Sequence, residues 1–204
     1  MKIFTILSVL AIIIYGCASG KQIQERKHIP FSNDLNIITP AEWGGSAITD
    51  SLPVHEISKI TIHHGGVYFS PDSDAVAYIR ELQSWSRNNK HWIDIPYHYM
   101  IDFEGKIYEA RPIRFPGDTN TSYDPRGHAL ICVIGNFEKQ HVNDKQLNSL
   151  SRLIARLMKK YHVPLNEVKT HRDYAETLCP GKNLYRYFQN GSIQKRIKDV
   201  LSNK

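Results

Sequence analysis

Cysteine is scarce in this sequence, and long apolar stretches are missing. The 204 residues include 3 cysteines, at positions 17, 132 and 179. This small, odd number excludes a scaffold in which every cysteine is paired in a disulfide within the chain. The apolar stretch near the N-terminus ends at Ile14 and covers only about a dozen residues, too few for a transmembrane helix. The sequence therefore indicates neither a disulfide-dependent fold nor a membrane-spanning helix.

Blocks of a single charge sign are also missing. Lysine and arginine number 26 against 20 aspartates and glutamates, which gives a formal charge of +6. Because no Lys/Arg cluster is interleaved with aromatic residues, nucleic acid is excluded as the expected partner. The modest basic bias is compatible with an anionic polymer. The length, the absence of internal repeats and the 41% hydrophobic content predict one folded domain.

The first seventeen residues have the features of an export signal. Lys2 supplies a basic start, the apolar stretch follows, and the segment Ile14-Tyr15-Gly16-Cys17 resembles the lipobox of bacterial lipoproteins. We predict a signal peptide over 1–16, a lipid on Cys17, and a polar tether over 17–36. The protein is then exported and anchored to a bacterial membrane, the outer membrane facing the periplasm. The alternative is an ordinary cleaved signal with a coincidental cysteine.

The remaining residues alternate between strand and helix patterns. Strand patterns occur at 57–64, in two strands joined by a turn within 97–108, at 130–134 and at 168–171. Helices are predicted from Ser70-Pro71 to about Arg87, from a capping box at 143–146 to a stop imposed by Pro164, and over 192–201. This alternation predicts an α/β domain with a central sheet covered by helices.

Two histidines and a cysteine form a candidate zinc site. His63 ends the strand at 57–64, His171 ends the strand at 168–171, and Cys179 follows eight residues later. Imidazole and thiolate suit Zn²⁺, and three protein ligands leave a fourth position open for water. Because side chains alternate along a strand, His63 and His64 point to opposite sides, so at most one is a ligand. The spacing alone is only moderately specific.

Five sequence blocks, in order, are similar to the type 2 N-acetylmuramoyl-L-alanine amidases, a family of zinc enzymes that includes the peptidoglycan-recognition proteins and phage lysozyme-type amidases. The blocks are IITPAEWG at 37–44, ITIHH at 60–64, DIPYHYMIDFEGKIYE at 94–109, ICVIGNF at 131–137, and THRD with TLCPG at 170–181. The resemblance spans about residues 37–185. It implies a zinc amidase domain over 37–204, with a mainly mixed sheet flanked by α-helices.

The resemblance also implies roles for individual residues. The family's zinc ligands correspond to His63, His171 and Cys179, and its catalytic tyrosine corresponds to Tyr97. Thr177 occupies a position that is lysine in phage enzymes and threonine in recognition proteins, which makes it a second candidate catalytic residue. Family members that bind peptidoglycan without cleaving it typically lack the cysteine ligand, which this chain retains.

Two segments depart from the family pattern. Recognition proteins usually have Arg-Gly-Trp after the hairpin, at a place linked to the type of stem peptide, whereas this chain has Arg111-Pro112-Ile113. The family's Gly-x-His before the central strand is replaced by residues 117–120, Gly-Asp-Thr-Asn. Both departures bear on which form of the substrate is recognised, and neither changes a predicted metal ligand.

The resemblance implies hydrolysis of the amide bond between N-acetylmuramic acid and L-alanine, with Zn²⁺ as cofactor. The expected partners are peptidoglycan or muropeptides and, through the lipid, a membrane; the protein is expected to be a monomer. Glu104 and Glu109 on the hairpin offer no paired-carboxylate chemistry, which argues against a glycosidase. Two alternatives stay open: a non-catalytic peptidoglycan-binding lipoprotein with a structural zinc, and a zinc peptidase that cuts within the stem peptide.

Overall fold

A computed structural model describes residues 35–49 and 53–202 of the chain. The predicted signal peptide, the predicted lipidation site at Cys17 and nearly all of the predicted tether lie outside these residues. Across the two described ranges, we find no helix that combines the length and the apolar character needed to cross a membrane.

A six-stranded sheet forms the centre of the domain. In chain order its strands are β1 (Ile37–Ile38), β2 (Lys59–His64), β3 (Tyr99–Ile101), β4 (Ile107–Glu109), β5 (His128–Val133) and β6 (Val168–Thr170). Their order across the sheet is β1-β4-β3-β5-β2-β6. Only the hairpin β3–β4 is antiparallel, and every other neighbouring pair is parallel. The prediction of a mixed sheet in an α/β domain is confirmed.

Helices cover both faces of this sheet. They are α1 (Pro40–Trp43), α2 (Ala75–Lys90), α3 (Asp144–Tyr161), α4 (Lys182–Gln189) and α5 (Ser192–Ser202), with short 3-10 helices at Leu165–Glu167 and His171–Asp173. One face of the sheet packs against α3, α4 and α5, and the other face packs against α1 and α2. Cys132 of β5 is fully buried on the second face, among residues such as Ile79 and Met100.

The start of α2 differs from the sequence prediction. The helix begins at Ala75 because the Asp74 carboxylate accepts hydrogen bonds from the backbone N–H groups of Val76 and Ala77, at 2.9 and 3.0 Å. Ser70 instead takes part in a preceding turn, in which its N–H donates to Ser73 Oγ at 3.0 Å. The helix then continues to Lys90, beyond the predicted end at Arg87.

Helix α3 has the predicted capping box and ends before Pro164, as predicted. The Asn143 side chain accepts from the N–H of Gln146 at 2.9 Å, and the Gln146 side chain accepts from the N–H of Asn143 at 3.3 Å. The helix ends because His162 adopts the left-handed conformation, with φ of 56°, and its N–H donates to the Met158 carbonyl. Pro164 follows two residues after this cap, where a proline prevents the helix from continuing.

His98 is buried and neutral. Its Nε2–H donates to the Phe115 carbonyl at 3.0 Å, while its Nδ1 accepts from the N–H of Leu130 at 2.8 Å. These two bonds fix one neutral tautomer. Burial lowers the pKa of His98 to about 3, because the charged form would lose its hydration. The neutral ring therefore links the segment before β3 to β5 and to the loop at Phe115.

We expect His98 to make the fold sensitive to acid. In the unfolded chain a histidine takes up its proton near pH 6.5, whereas His98 in the folded chain stays neutral down to about pH 3. This contribution to the free energy of unfolding is complete above pH 6.5 and is lost as the pH falls toward 3, by roughly 1.4 kcal/mol per pH unit. Denaturant unfolding at several pH values between 8 and 4.5 measures it.

The matched variant is His98→Gln, which does not titrate in this range. It should be less stable than the wild type at pH 8, because one of the two backbone bonds is lost, but its stability should fall less steeply with acid. Equal slopes for the two proteins would show that His98 does not set the acid sensitivity.

Candidate metal centre

The three predicted zinc ligands lie together at one edge of the sheet. Because β2 and β6 are parallel neighbours, His63 at the end of β2 and His171 directly after β6 meet at the same edge. The ring centroids of the two histidines are 4.5 Å apart, and His63 Nδ1 is 3.7 Å from Cys179 Sγ. One ligand atom from each of the three residues lies within 4.8 Å of the other two.

The loop that carries Cys179 is held by Arg172. The guanidinium donates to the carbonyls of Thr177 at 3.2 Å and Leu178 at 2.8 Å. The N–H of Cys179 donates to Thr177 Oγ1 at 3.2 Å, and the N–H of His64 donates to Cys179 Sγ at 3.3 Å. Thr177 thus stabilises the turn before Cys179, and it also lines the cavity that contains the cluster.

The environment suits a soft divalent cation. Burial, followed by the charge of His171, lowers the pKa of His63 well below its usual value, and burial lowers the pKa of His171 to about 4. Both imidazoles are therefore neutral, which is the form that binds metal. Burial raises the pKa of the Cys179 thiol to about 12, so a thiolate here requires a nearby positive ion. Two imidazoles and one thiolate without a carboxylate fit Zn²⁺ better than Mg²⁺ or Ca²⁺.

His64 points away from this cluster. Its Nδ1 accepts a hydrogen bond from the N–H of Phe137 at 3.2 Å, and its ring packs against the Phe137 ring. This is the arrangement expected from the alternation of side chains along β2. His64 contributes to the cluster only through its backbone N–H.

Tyr97 lies beside the cluster, just before β3 rather than in the strand as predicted. Its ring centroid is 5.1 Å from that of His63. The pKa of Tyr97 lies well above its usual value, mainly because the phenol is buried. The phenol therefore keeps its proton at neutral pH and can act as a hydrogen-bond donor.

The cluster lies in a groove whose cavity volume is about 320 Å³. Aromatic and polar side chains form the walls of this groove, including Tyr78, Trp85, Trp92, Tyr97, Asp118 and Thr119. Trp85 and Trp92 meet edge to face at 6.1 Å, with the Lys90 ammonium 5.5 and 5.7 Å from their ring centroids. Such a groove offers both apolar surface and hydrogen-bonding groups to a ligand.

Two residues that no sequence pattern indicated contact the predicted ligands. Thr121 Oγ1 is 2.7 Å from His171 Nε2, and the Tyr123 hydroxyl is 3.2 Å from His63 Nε2. Both come from the loop between β4 and β5, in a part without regular secondary structure. No periodic pattern marks such a loop, and its run of hydroxyl side chains was the only available signal.

A buried arginine anchors the start of this loop. Arg111, 1% exposed, donates to the backbone carbonyls of Ile95 and Asp94 at 2.8 Å each and forms an ion pair with Asp118. Arg111 is the first residue of the segment that departs from the recognition-protein pattern. Its role in this chain is to fix the backbone beside the groove.

Comparison with known proteins agrees with this fold and identifies the family. Residues 53–182 match the family model Amidase_2, described as N-acetylmuramoyl-L-alanine amidase. Mouse peptidoglycan recognition protein 1 is 31% identical over 159 residues, which cover 76% of this chain and 86% of the mouse protein. The chain belongs to the N-acetylmuramoyl-L-alanine amidase family.

Solved structures of recognition proteins have the same fold. Drosophila peptidoglycan recognition protein SD superposes with a TM-score of 0.69 at 27% identity, covering 76% of this chain and 94% of the other. A human recognition protein, PGRP-IβC, was solved in complex with glycosamyl muramyl pentapeptide. It superposes with a TM-score of 0.67 at 25% identity, covering 75% of this chain and 94% of the human one.

Proposed function

We propose that this protein is a zinc-dependent N-acetylmuramoyl-L-alanine amidase. The observation that carries the proposal is the convergence of His63, His171 and Cys179 at the base of an open groove beside Tyr97. Membership of the amidase family supports it. A complete set of three ligands, including the cysteine, favours catalysis over binding alone, because it leaves one coordination position for the reaction.

His63, His171 and Cys179 would hold the ion. Zn²⁺ bound by such a set supplies Lewis acidity, which activates water at neutral pH and polarises a carbonyl. Tyr97 would donate a hydrogen bond to the oxygen that gains negative charge as the amide carbonyl is attacked. Its neutral phenol beside His63 is suited to this role. Thr177 lines the groove and has a hydroxyl hydrogen to donate to the same oxygen.

The substrate we propose is peptidoglycan or its muropeptide fragments. The muramyl pentapeptide bound by the human recognition protein supports this choice. The groove walls fit such a ligand, because Trp85 and Trp92 offer flat faces for sugar or peptide groups, while Asp118 and Thr119 offer polar contacts. The scissile bond joins the lactyl group of N-acetylmuramic acid to the L-alanine of the stem peptide.

Mass analysis of the products tests the proposed reaction. Incubation of a defined muropeptide with zinc-loaded protein should release an intact stem peptide with a free N-terminal alanine, together with the lactyl-bearing sugar. Shortened peptides would instead identify a zinc peptidase. Unchanged muropeptide, with binding retained, would identify a non-catalytic peptidoglycan-binding protein.

We further propose that the protein is exported and held at a bacterial membrane, the outer membrane facing the periplasm, by lipid on Cys17. Protein expressed in a bacterium should sediment with membranes and be released by detergent, because several acyl chains on one residue give stable attachment. Cys17→Ser should yield an uncleaved precursor or a soluble exported protein that keeps its activity, since the resembling blocks begin at residue 37. Wild-type protein found wholly in the soluble fraction would contradict the anchor.

A further inference from the structure

We propose that Thr121 and Tyr123 are positioning residues for the metal site, and that they orient the imidazoles of His171 and His63. The inference rests on the proposed zinc site and adds to it two residues that the amidase resemblance does not supply. Both come from the loop of residues 117–124, which contains the segment where the family's Gly-x-His is replaced.

Thr121 fixes the orientation of His171. Its Oγ1 is 2.7 Å from His171 Nε2, so Nε2 is engaged and Nδ1 is the nitrogen left for a metal. Thr121 Oγ1 also lies 2.8 Å from Thr119 Oγ1, and the Thr121 N–H donates to Thr119 Oγ1 at 3.1 Å. When the Thr121 hydroxyl donates to Thr119, its oxygen is directed to accept from His171 Nε2–H. The result is a short chain of hydrogen bonds in which His171 donates to Thr121 and Thr121 donates to Thr119.

Tyr123 fixes the orientation of His63 in the same way. Its hydroxyl is 3.2 Å from His63 Nε2, while Nδ1 of the same ring faces Cys179 Sγ at 3.7 Å. The Tyr123 ring is itself held in place, because it stacks on Tyr174 with centroids 5.6 Å apart and also packs against His171 at 5.2 Å. Both histidines thus offer the same nitrogen, Nδ1, to the ion.

The loop that carries the two hydroxyls is firmly attached at its start. The ion pair between Arg111 and Asp118 holds the backbone just before Thr119. Gly117 approaches its neighbours so closely that a Cβ atom there would lie 2.4 Å from Leu130 Cδ1 and 2.5 Å from the Pro96 carbonyl oxygen. Thr121 and Tyr123 therefore follow shortly after two residues that are fixed by close packing and an ion pair, which supports a positioning role.

Hydroxyl partners have a chemical consequence. Metal-bound histidines commonly donate their second ring N–H to a carboxylate, a backbone carbonyl or water, and this partner fixes the tautomer and adjusts the basicity of the ring. A neutral hydroxyl fixes the tautomer without bringing negative charge to the site. The arrangement would therefore hold both imidazoles in place without adding a negative charge next to a bound ion.

The test is a measurement of zinc affinity and of the Co²⁺ spectrum on the full chain. In Thr121→Val and Tyr123→Phe, which retain the size of the side chains, the dissociation constant for zinc should rise on the order of tenfold or more. The visible spectrum of the Co²⁺-substituted protein should shift, because the spectrum reports on the ligand field and the ligand field depends on the orientation of the imidazole rings. Thr121→Ser should restore both properties.

Two control variants test whether the effect is specific to the hydroxyls of Thr121 and Tyr123. Ser122→Ala changes an exposed residue between the two positions. Tyr174→Phe removes a nearby hydroxyl that has no hydrogen bond to a ligand histidine, and it keeps the ring that stacks on Tyr123. Both should keep the wild-type zinc affinity and Co²⁺ spectrum.

Three outcomes are distinguishable. Wild-type affinity and spectrum in Thr121→Val and Tyr123→Phe, with zinc bound normally by the wild type, would overturn this inference and leave the proposed function standing. Equal loss in the Tyr174→Phe control would show that the effect is not specific to the Tyr123 hydroxyl, and would overturn the role assigned to Tyr123. A wild-type protein that binds no zinc would overturn the metal site itself.

Discussion

Replacing Cys179 with serine is expected to remove zinc and abolish turnover. In the proposed site a Cys179 thiolate would be the one anionic ligand beside two neutral imidazoles, and a serine hydroxyl does not ionise readily enough to replace it. Loss of an outer-shell partner costs roughly 10- to 100-fold in metal affinity, so loss of this direct ligand should exceed about 100-fold. Zinc content per chain, measured by atomic absorption, and turnover of a muropeptide are the two readouts.

Cys132→Ser is the matched control for this prediction. Cys132 is the register partner of His63 on the neighbouring strand and is fully buried among apolar side chains. A hydroxyl at this position should lower the free energy of unfolding by about 1–3 kcal/mol, because a polar group would be buried without a well-placed hydrogen-bond partner. Zinc content and turnover of the folded protein should stay close to wild type. Equal loss of zinc in both variants would mean that Cys179 is not a ligand.

Tyr97→Phe is expected to lower kcat while leaving the metal in place. Removal of one hydrogen-bond donor from the developing oxyanion costs about 10²–10³ in turnover in well-studied hydrolases. We expect a fall of at least tenfold in kcat with little change in KM, since the ring and its contact with His63 at 5.1 Å remain. Steady-state kinetics on a defined muropeptide, with zinc content measured in parallel, provide the test.

Tyr99→Phe provides the control from the same segment. Tyr99 begins β3 and packs into the hydrophobic core on the opposite face of the sheet from Cys132. Its variant should keep wild-type turnover. If Tyr97→Phe matched the wild-type rate, the role of Tyr97 would be packing against His63.

The elements that sequence analysis predicted well are those with a strong local signal. Strand β5 appeared as a continuous apolar run, and helix α3 as a capping box followed by an amphipathic pattern; both are present. The convergence of His63 and His171 also followed from the sequence, because each was predicted at the end of a strand. In all three cases the local pattern and the tertiary structure favour the same conformation.

The elements that were missed had competing or weak local signals. Ser70-Pro71 has the composition of a helix start, but Asp74 caps two N–H groups and sets the first turn. Helix α4 is only eight residues long and buries Leu184 and Phe188, too few positions to define a period. Thr121 and Tyr123 were missed for a different reason, because their position depends on long-range anchoring of the loop through Arg111. No short-range pattern records such a contact.

A zinc titration of the metal-free protein tests the central claim most directly. The protein is first stripped with a chelator, and turnover of a defined muropeptide is then followed as zinc is added back. The three converging ligands predict no measurable turnover without metal. As zinc is added, turnover should rise linearly and reach a plateau at about one zinc per chain, as expected for a single catalytic site. Full activity in protein shown to be free of metal would contradict the proposed mechanism.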